Sequence, residues 1–274
     1  MTCSSPGISR LLASGSKKMR GLQIENLANG GSPVHGCRET RCQGAEMVLT
    51  HLHLSQSSLP LPKQTHTMTS TIQQTYSTDT HSIYTVYINN RSIITTVTNV
   101  ASVVESWLHE IYNIHGTHLI VGLDVEWRPT FQRNVTSKVA LLQLCVGSRC
   151  LIFQLIHANR IPRSLRDFLA DGSFGFVGVG IKNDVEKLED DYDLTVGCAV
   201  DLRSMAATKF HSNELRSAGL TNLASYILDL DVVKPSQITL SNWESSWLTI
   251  NQVKYACVDA YLSFEIGKYL IQMN

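Results

Sequence analysis

No run of apolar residues in this sequence reaches the roughly 18 to 20 that a membrane span requires. The first thirty residues also lack the continuous apolar segment of a secretory signal, so a soluble intracellular protein is expected. The seven cysteines, an odd number (Cys3, Cys37, Cys42, Cys145, Cys150, Cys198 and Cys257), show no regular disulfide framework, and reduced thiols are the simpler account. Cys37 and Cys42, beside His35 in "HGCRETRC", would suit zinc, but no second ligand pair follows at a finger-like spacing. A basic surplus is missing too. Net charge is zero; Met1 to Thr67 carry seven Lys/Arg against three Asp/Glu, and the rest carries 16 against 20. Duplex binding by bulk electrostatics is therefore excluded, and any contact with nucleic acid must use local basic patches and metal ions.

What is present divides the chain in two. Through about Thr67 the sequence is rich in Ser, Gly, Thr, His and isolated prolines, without a period of 2 or 3.6, and reads as disordered. Its shortage of acids also fits an organelle transit peptide, and a start of translation at Met68 would remove it altogether. Residues 1–81 are thus taken as an extension and 82–274 as the folded domain. A nuclear or cytoplasmic location is expected, with organelle targeting by the extension left open.

From Ser82, "SIYTVYINNRSIITTVT" alternates β-branched and aromatic residues around Asn89 and Asn90, a hairpin pattern. "NVASVVESWLHEIYN" has helical spacing. "LIVGLDVEW", "VALLQLCV" and "RCLIFQL" read as antiparallel neighbours, followed by a helix ("IPRSLRDFLAD"), a buried strand ("FGFVGVG"), a helix ("KNDVEKLEDDY"), a brief strand ("CAVDL") and a helix ("LTNLASYILDL"). A long helix closes the chain. This order describes an α/β domain with a mixed sheet.

Three segments place acids where an apolar pattern would not ask for them. On the strand "LIVGLDVEW", Asp124 and Glu126 are two apart and share a face. Like charges about 4 Å apart repel by about 1 kcal/mol in water and about 4 kcal/mol near a protein surface, which a divalent cation with oxygen ligands relieves. Pairing with Arg128 or Arg133 is the alternative. In "FVGVGIKNDVEKL", Asp184 falls where a helix leaves the buried strand, and capping by Asn183 or Asp184 would also explain it. A dinucleotide fingerprint is excluded there, because the glycine required at 183 is Asn. In "YACVDAY", Tyr255 and Asp259 lie one helical turn apart, with Asp259 among Val253, Cys257, Val258 and Leu262.

Taken in order, "LDVEW", "GVGIKND" and Tyr255-x-x-x-Asp259 resemble the DEDDy branch of the 3′-to-5′ exonucleases, within the ribonuclease H-like superfamily. The flanks "VALLQLCV", "DLRSMA" and "WESSWLTINQVKYACVDAY" are similar to the Werner-type exonuclease domains and their stand-alone plant relatives, from about Ser82 to the C-terminus. Lys182 and Cys257 depart from the usual pattern, and neither removes a ligand. The resemblance implies a ribonuclease H-like mixed sheet of five or six strands flanked by helices. It implies that Asp124, Glu126, Asp184 and Asp259 hold two Mg²⁺ or Mn²⁺ ions while Tyr255 orients the attacking water. It also implies hydrolysis of a 3′ end to nucleoside 5′-monophosphates, DNA ahead of RNA. Trp127, Phe131 and Tyr261 are candidates for stacking on the terminal base, and Arg128, Arg133, Lys138, Arg203 and Lys254 for phosphate contact. A ribonuclease D-like RNA-processing enzyme and a catalytically silent nucleic-acid-binding protein of the same fold are the alternatives. No membrane partner is expected, and a homo-oligomer is left open.

Overall fold

The computed structural model describes residues 65–116, 119–130 and 136–273. The Cys37–Cys42 cluster, most of the N-terminal extension, Phe131 and Arg133 lie outside them. The sheet starts earlier than the alternation after Ser82 indicates. A two-residue strand, β1 (His66–Thr67), and an eight-residue strand, β2 (Ser70–Ser77), precede the hairpin of β3 (His81–Ile88) and β4 (Arg91–Thr98). β2 pairs antiparallel with β3 at the edge of the sheet and is exposed along most of its length. A solvated edge strand needs little apolar alternation, which is why "STIQQTYS" reads as part of the extension. The domain therefore takes in residues before Ser82.

Asn89, at the turn between β3 and β4, has φ 48°, a left-handed conformation that Asn tolerates better than most residues. Helix α1 (Ala101–His115) leads to β5 (Ile120–Trp127), β6 (Val139–Val146) and β7 (Arg149–Phe153). Then come α2 (Arg163–Ala170), β8 (Gly175–Gly178), α3 (Ile181–Tyr192), β9 (Ala199–Asp201), α4 (Leu202–Lys209) and α5 (Leu220–Leu228). Strand β10 (Leu230–Asp231), which pairs parallel with β1, precedes a short α6 (Ser236–Thr239) and the 23-residue α7 (Ile250–Gln272). The order β2-β3-β4-β7-β6-β5-β8-β9 makes eight strands where five or six were expected. β5, β6 and β7 are antiparallel neighbours; β4 with β7, β5 with β8 and β8 with β9 are parallel.

The sheet has two covered faces because its central strands are apolar on both sides. Val121, Leu123 and Val125 of β5 pack with Trp107, Leu108 and Ile111 of α1 and Leu165 and Phe168 of α2. On the opposite face Leu141, Cys145, Cys150 and Ile152 pack with α7, whose Ala256, Cys257, Ala260 and Leu262 are fully buried. Each large apolar side chain removed from water here contributes about 1.5–3 kcal/mol. Among the described residues no helix is long and apolar enough to cross a membrane.

One glycine sets the depth at which α7 lies. A Cβ on Gly122 would sit 2.1 Å from the Ala260 carbonyl oxygen and 2.7 Å from the Phe264 nitrogen. Only hydrogen fits in that gap, so the helix backbone rests against β5 two residues before Asp124.

Candidate active site

β5 carries Asp124 and Glu126 on the face that α7 covers, and runs on past β8, whose pairing with it stops at Gly122 opposite Val177. Its ladder with β6 slips just after Glu126: Glu126 faces Leu141 and Trp127 faces Val139, so Ala140 is the extra residue of a bulge. Bulges of this kind bend a strand and re-aim its side chains. Across the gap, α7 is anchored at its start by a capping box, in which Thr249 accepts from the Gln252 nitrogen and Gln252 Oε1 accepts from the Thr249 nitrogen. The Gln252 amide also donates to Ser241 and to the Asn242 carbonyl. This fixes the rotation of the helix that bears Tyr255 and Asp259.

Carboxylate oxygens of Asp124, Glu126 and Asp259 all come within 4.8 Å of one another. Burial first, then the charges of Asp259 and Asp184, hold Asp124 well above the usual carboxylate range. Glu126 is pushed up to about 10 by burial, followed by Asp124 and Asp259. Lys234 opposes the rise at both acids without cancelling it, so the cluster is short of positive charge. Two buried polar groups point the same way: Asp259 Oδ1 has no hydrogen-bond partner, and neither polar atom of Gln143, fully buried and in register with Asp124, has one. Buried groups of this kind are normally satisfied, and a bound ion with its waters would satisfy them. The donor set, all carboxylate oxygen, fits a hard divalent cation.

Asp184 is not a member of that trio. It sits in the first turn of α3, 8% exposed, close enough for its charge to raise Asp124 and Glu126. It does not cap the helix: the N-cap is Gly180, with φ 75° and no side-chain cap bond. The turn is held instead by Asp201, whose carboxylate accepts from the Gly180 nitrogen at 3.1 Å and from Arg203 Nη2 at 2.8 Å and Nε at 3.1 Å. Asp184 is pushed up to about 7, by burial and then by Asp201, with Arg203 opposing.

Tyr255 stands one turn before Asp259. Its oxygen accepts from Thr239 Oγ1 at 3.0 Å, and its ring packs against the buried Trp243, whose Nε1 donates to the Thr239 carbonyl. Burial, then Asp259, pushes the phenol up to about 12, so it stays protonated near neutral pH.

With this geometry in place, comparison with known proteins gives a family. The 3′-5′ exonuclease family matches residues 94–273, more than half of the chain. The chain belongs to that family. A 3′-5′ exonuclease of Arabidopsis thaliana is 38% identical over 152 residues, 55% of this chain and 52% of the relative. The bifunctional 3′-5′ exonuclease/ATP-dependent helicase WRN of Mus musculus is 36% identical over 152 residues, 55% of this chain and 11% of the relative. This family member thus spans about half the length of the plant relative and about a tenth of the mouse one. Escherichia coli RNase D, an exoribonuclease involved in structured RNA processing, shares the fold: 18% identity, TM-score 0.54, covering 64% of this chain and 44% of that one. The mixed sheet flanked by helices is accordingly the ribonuclease H-like arrangement.

The remaining sequence candidates of this exonuclease-family chain fall differently. Trp127 ends β5, 36% exposed, with Lys187 Nζ 5.6 Å from its ring centroid. Lys254 lines a cleft of about 270 Å³ with Tyr255, Asp259, Lys234, Val233 and Gln237. Arg128 is 3.6 Å from Glu244, and Arg203 is engaged by Asp201, so both already have carboxylate partners. Lys138 lies over the ring of Tyr192. Tyr261 is corrected: it is 6% exposed and borders a different cleft, with Arg91, His115 and Lys268, so it belongs to the core. On α7 a residue two past Asp259 points away from it, which the aromatic character alone does not reveal. Sequence reasoning missed Lys234, Thr239, Gln143 and the Asp201–Arg203 clamp. Lys234 sits in the irregular stretch "VVKPSQ", where no periodicity marks a residue as inward-facing.

Proposed function

We propose that this chain hydrolyses nucleic acid from its 3′ end, releasing nucleoside 5′-monophosphates, with divalent metal held by Asp124, Glu126 and Asp259 and completed by Asp184. The observation that carries the reading is the convergence of three carboxylates from β5 and α7 beside an unpartnered Asp259 oxygen. Bound there, two Mg²⁺ or Mn²⁺ ions would supply a water acidified towards neutral pH and charge to balance the attacking and departing oxygens.

The chain's own residues do the positioning. Because Thr239 donates to the Tyr255 oxygen, the phenol's own proton is directed to an acceptor within the site, Asp259 among them. Tyr255 therefore orients the attacking water as a donor and does not remove its proton, a task its raised pKa rules out near pH 7. Trp127, at the exposed end of β5, offers a ring for stacking, and Lys254 a charge for phosphate in the adjoining cleft.

We infer DNA as the substrate, on the Werner-type flanks of the three motifs; the fold shared with an exoribonuclease favours RNA as the second reading. Matched DNA and RNA strands, labelled at the 5′ end and digested in parallel, separate the two. Shortening from the 3′ end that requires Mg²⁺ and disappears with chelator and in Asp124→Ala supports the activity. Shortening that persists in the purified variant refutes it.

A further inference from the structure

Three carboxylates within 4.8 Å of one another repel strongly unless a cation stands among them. The protein supplies one from outside the three motifs. Lys234 Nζ lies 2.5 Å from Asp259 Oδ2 and 5.0 Å from the centroid of the Tyr255 ring, so it is held between a buried carboxylate and an aromatic face. Its charge also favours the ionised forms of Asp124 and Glu126. The ammonium thus serves the whole cluster.

Its attachment leaves it able to move. Lys234 follows β10 and precedes Pro235, the N-cap of α6, so its backbone is constrained by the neighbouring proline ring while its stem has four flexible bonds. The side chain is 26% exposed, against 3% for Asp259, and it borders the cleft that Lys254 and Gln237 also line. Asp259 therefore has one oxygen occupied by Lys234 and one, Oδ1, without a hydrogen-bond partner. An ion that takes both Asp124 and Asp259 as ligands meets the ammonium already in place.

We propose that Lys234 is the built-in counter-ion of this acidic site, holding the carboxylates together without metal and competing with the divalent cation for Asp259. The proposal rests on reading the trio as a metal site. A divalent ion exchanges for, or shares with, a single positive charge, and the ammonium lowers metal affinity by like-charge repulsion. Lys234 thereby sets the metal concentration at which the site fills. The freed side chain has the adjoining cleft to enter.

The test is Mn²⁺ binding, followed by isothermal titration calorimetry and by the electron paramagnetic resonance signal of free Mn²⁺, on the full chain and its variants. Lys234→Met is expected to bind Mn²⁺ at least about tenfold tighter than the parent, and to melt at lower temperature without metal. Lys234→Gln keeps a hydrogen-bond donor without charge and is expected to show the same tightening even where Lys234→Met does not fold. Lys234→Arg, which keeps the charge, should stay within about threefold of the parent. Unchanged or weaker Mn²⁺ binding in both uncharged variants overturns the proposal. Equal Mn²⁺ binding by the parent and Asp124→Ala overturns the metal site itself, an outcome distinct from the first because it does not involve Lys234.

Discussion

Asp259 and Asp184 act on the same pair of acids from two different helices, and they are held by different means. Asp259 rides on a 23-residue helix whose backbone touches β5 at Gly122, and its charge is met by Lys234 at 2.5 Å. Asp184 rides on the first turn of α3, after a left-handed glycine whose nitrogen donates to Asp201, itself gripped by the one-third exposed Arg203. One flank is fixed by main chain against main chain and a partly exposed ammonium. The other is fixed by a partly exposed hydrogen-bonded clamp, and among the described residues no ammonium pairs with its acid. The difference teaches that four acids of one motif set need not be equivalent: three are together, and the fourth stands outside that trio.

The largest expected effect comes from removing each acid in turn. Asp259→Asn should lower 3′-end digestion by about 10³-fold or more, several kcal/mol of transition-state stabilisation, and Asp184→Asn should do so by about 10²-fold. Their metal-free stabilities should diverge. Asp259→Asn takes from Lys234 its directly paired carboxylate and should cost about 1–3 kcal/mol, below the cost of a fully buried charge because the lysine is partly exposed and still faces Asp124. Asp184→Asn removes an acid that burial already disfavours and should be neutral or stabilising above pH 7. Denaturant midpoints at pH 8 with chelator check both, and equal losses would erase the distinction between the flanks.

Next in size is the pair of glycines. Gly122→Ala forces a methyl into the Ala260 carbonyl and should cost about 3 kcal/mol, displacing α7 and with it digestion. Gly180→Ala meets only the end of the flexible Arg203 side chain and should cost about 1 kcal/mol, for its positive φ. Chemical denaturation measures both. A milder effect is expected for Arg203→Gln, which loosens the Asp201 clamp: a loss of about 1 kcal/mol and a fall in kcat of about tenfold with KM little changed.

The smallest expected effect is on pH dependence without metal. Asp184 and Glu126 bind their protons more tightly folded than unfolded, so their contribution is full below about pH 4 and lost as pH climbs through about 7 for Asp184 and about 10 for Glu126. Asp201 has the opposite sign. Burial would raise it, but the hydrogen bonds from Arg203 outweigh that and hold it low, so its contribution is present at neutral pH and lost as pH falls below about 4. Calorimetry with chelator should give a Tm that declines on the alkaline side, and Asp184→Asn should flatten the part of that decline around pH 7.

Much of the site is legible in the residue pattern alone. The two-residue period of β5 puts Asp124 and Glu126 on one face, and the four-residue spacing on α7 puts Tyr255 beside Asp259. The hairpin at Asn89, the β5–β6–β7 meander and the alternation of helices and strands after it are equally local patterns, and they hold. The edge strand β2 is not legible, because a solvated strand carries no apolar alternation. Tyr261 is a stacking candidate in sequence and a core residue in the fold, because sequence gives residue type and not the height of a helix against a sheet.

Periodicity, then, is what the sequence determined by itself: which side chains share a face, and in what order three acidic segments follow one another. Which of those segments meet was decided only in three dimensions, by a glycine that lets a helix touch a strand, a lysine from an irregular linker that reaches Asp259, and a clamp that keeps Asp184 to one side. The physical reason is range. Dihedral preferences and side-chain alternation act over a few residues, whereas close approach joins Gly122 to Ala260 across more than a hundred residues and charge pairing joins Lys234 to Asp259 across 25.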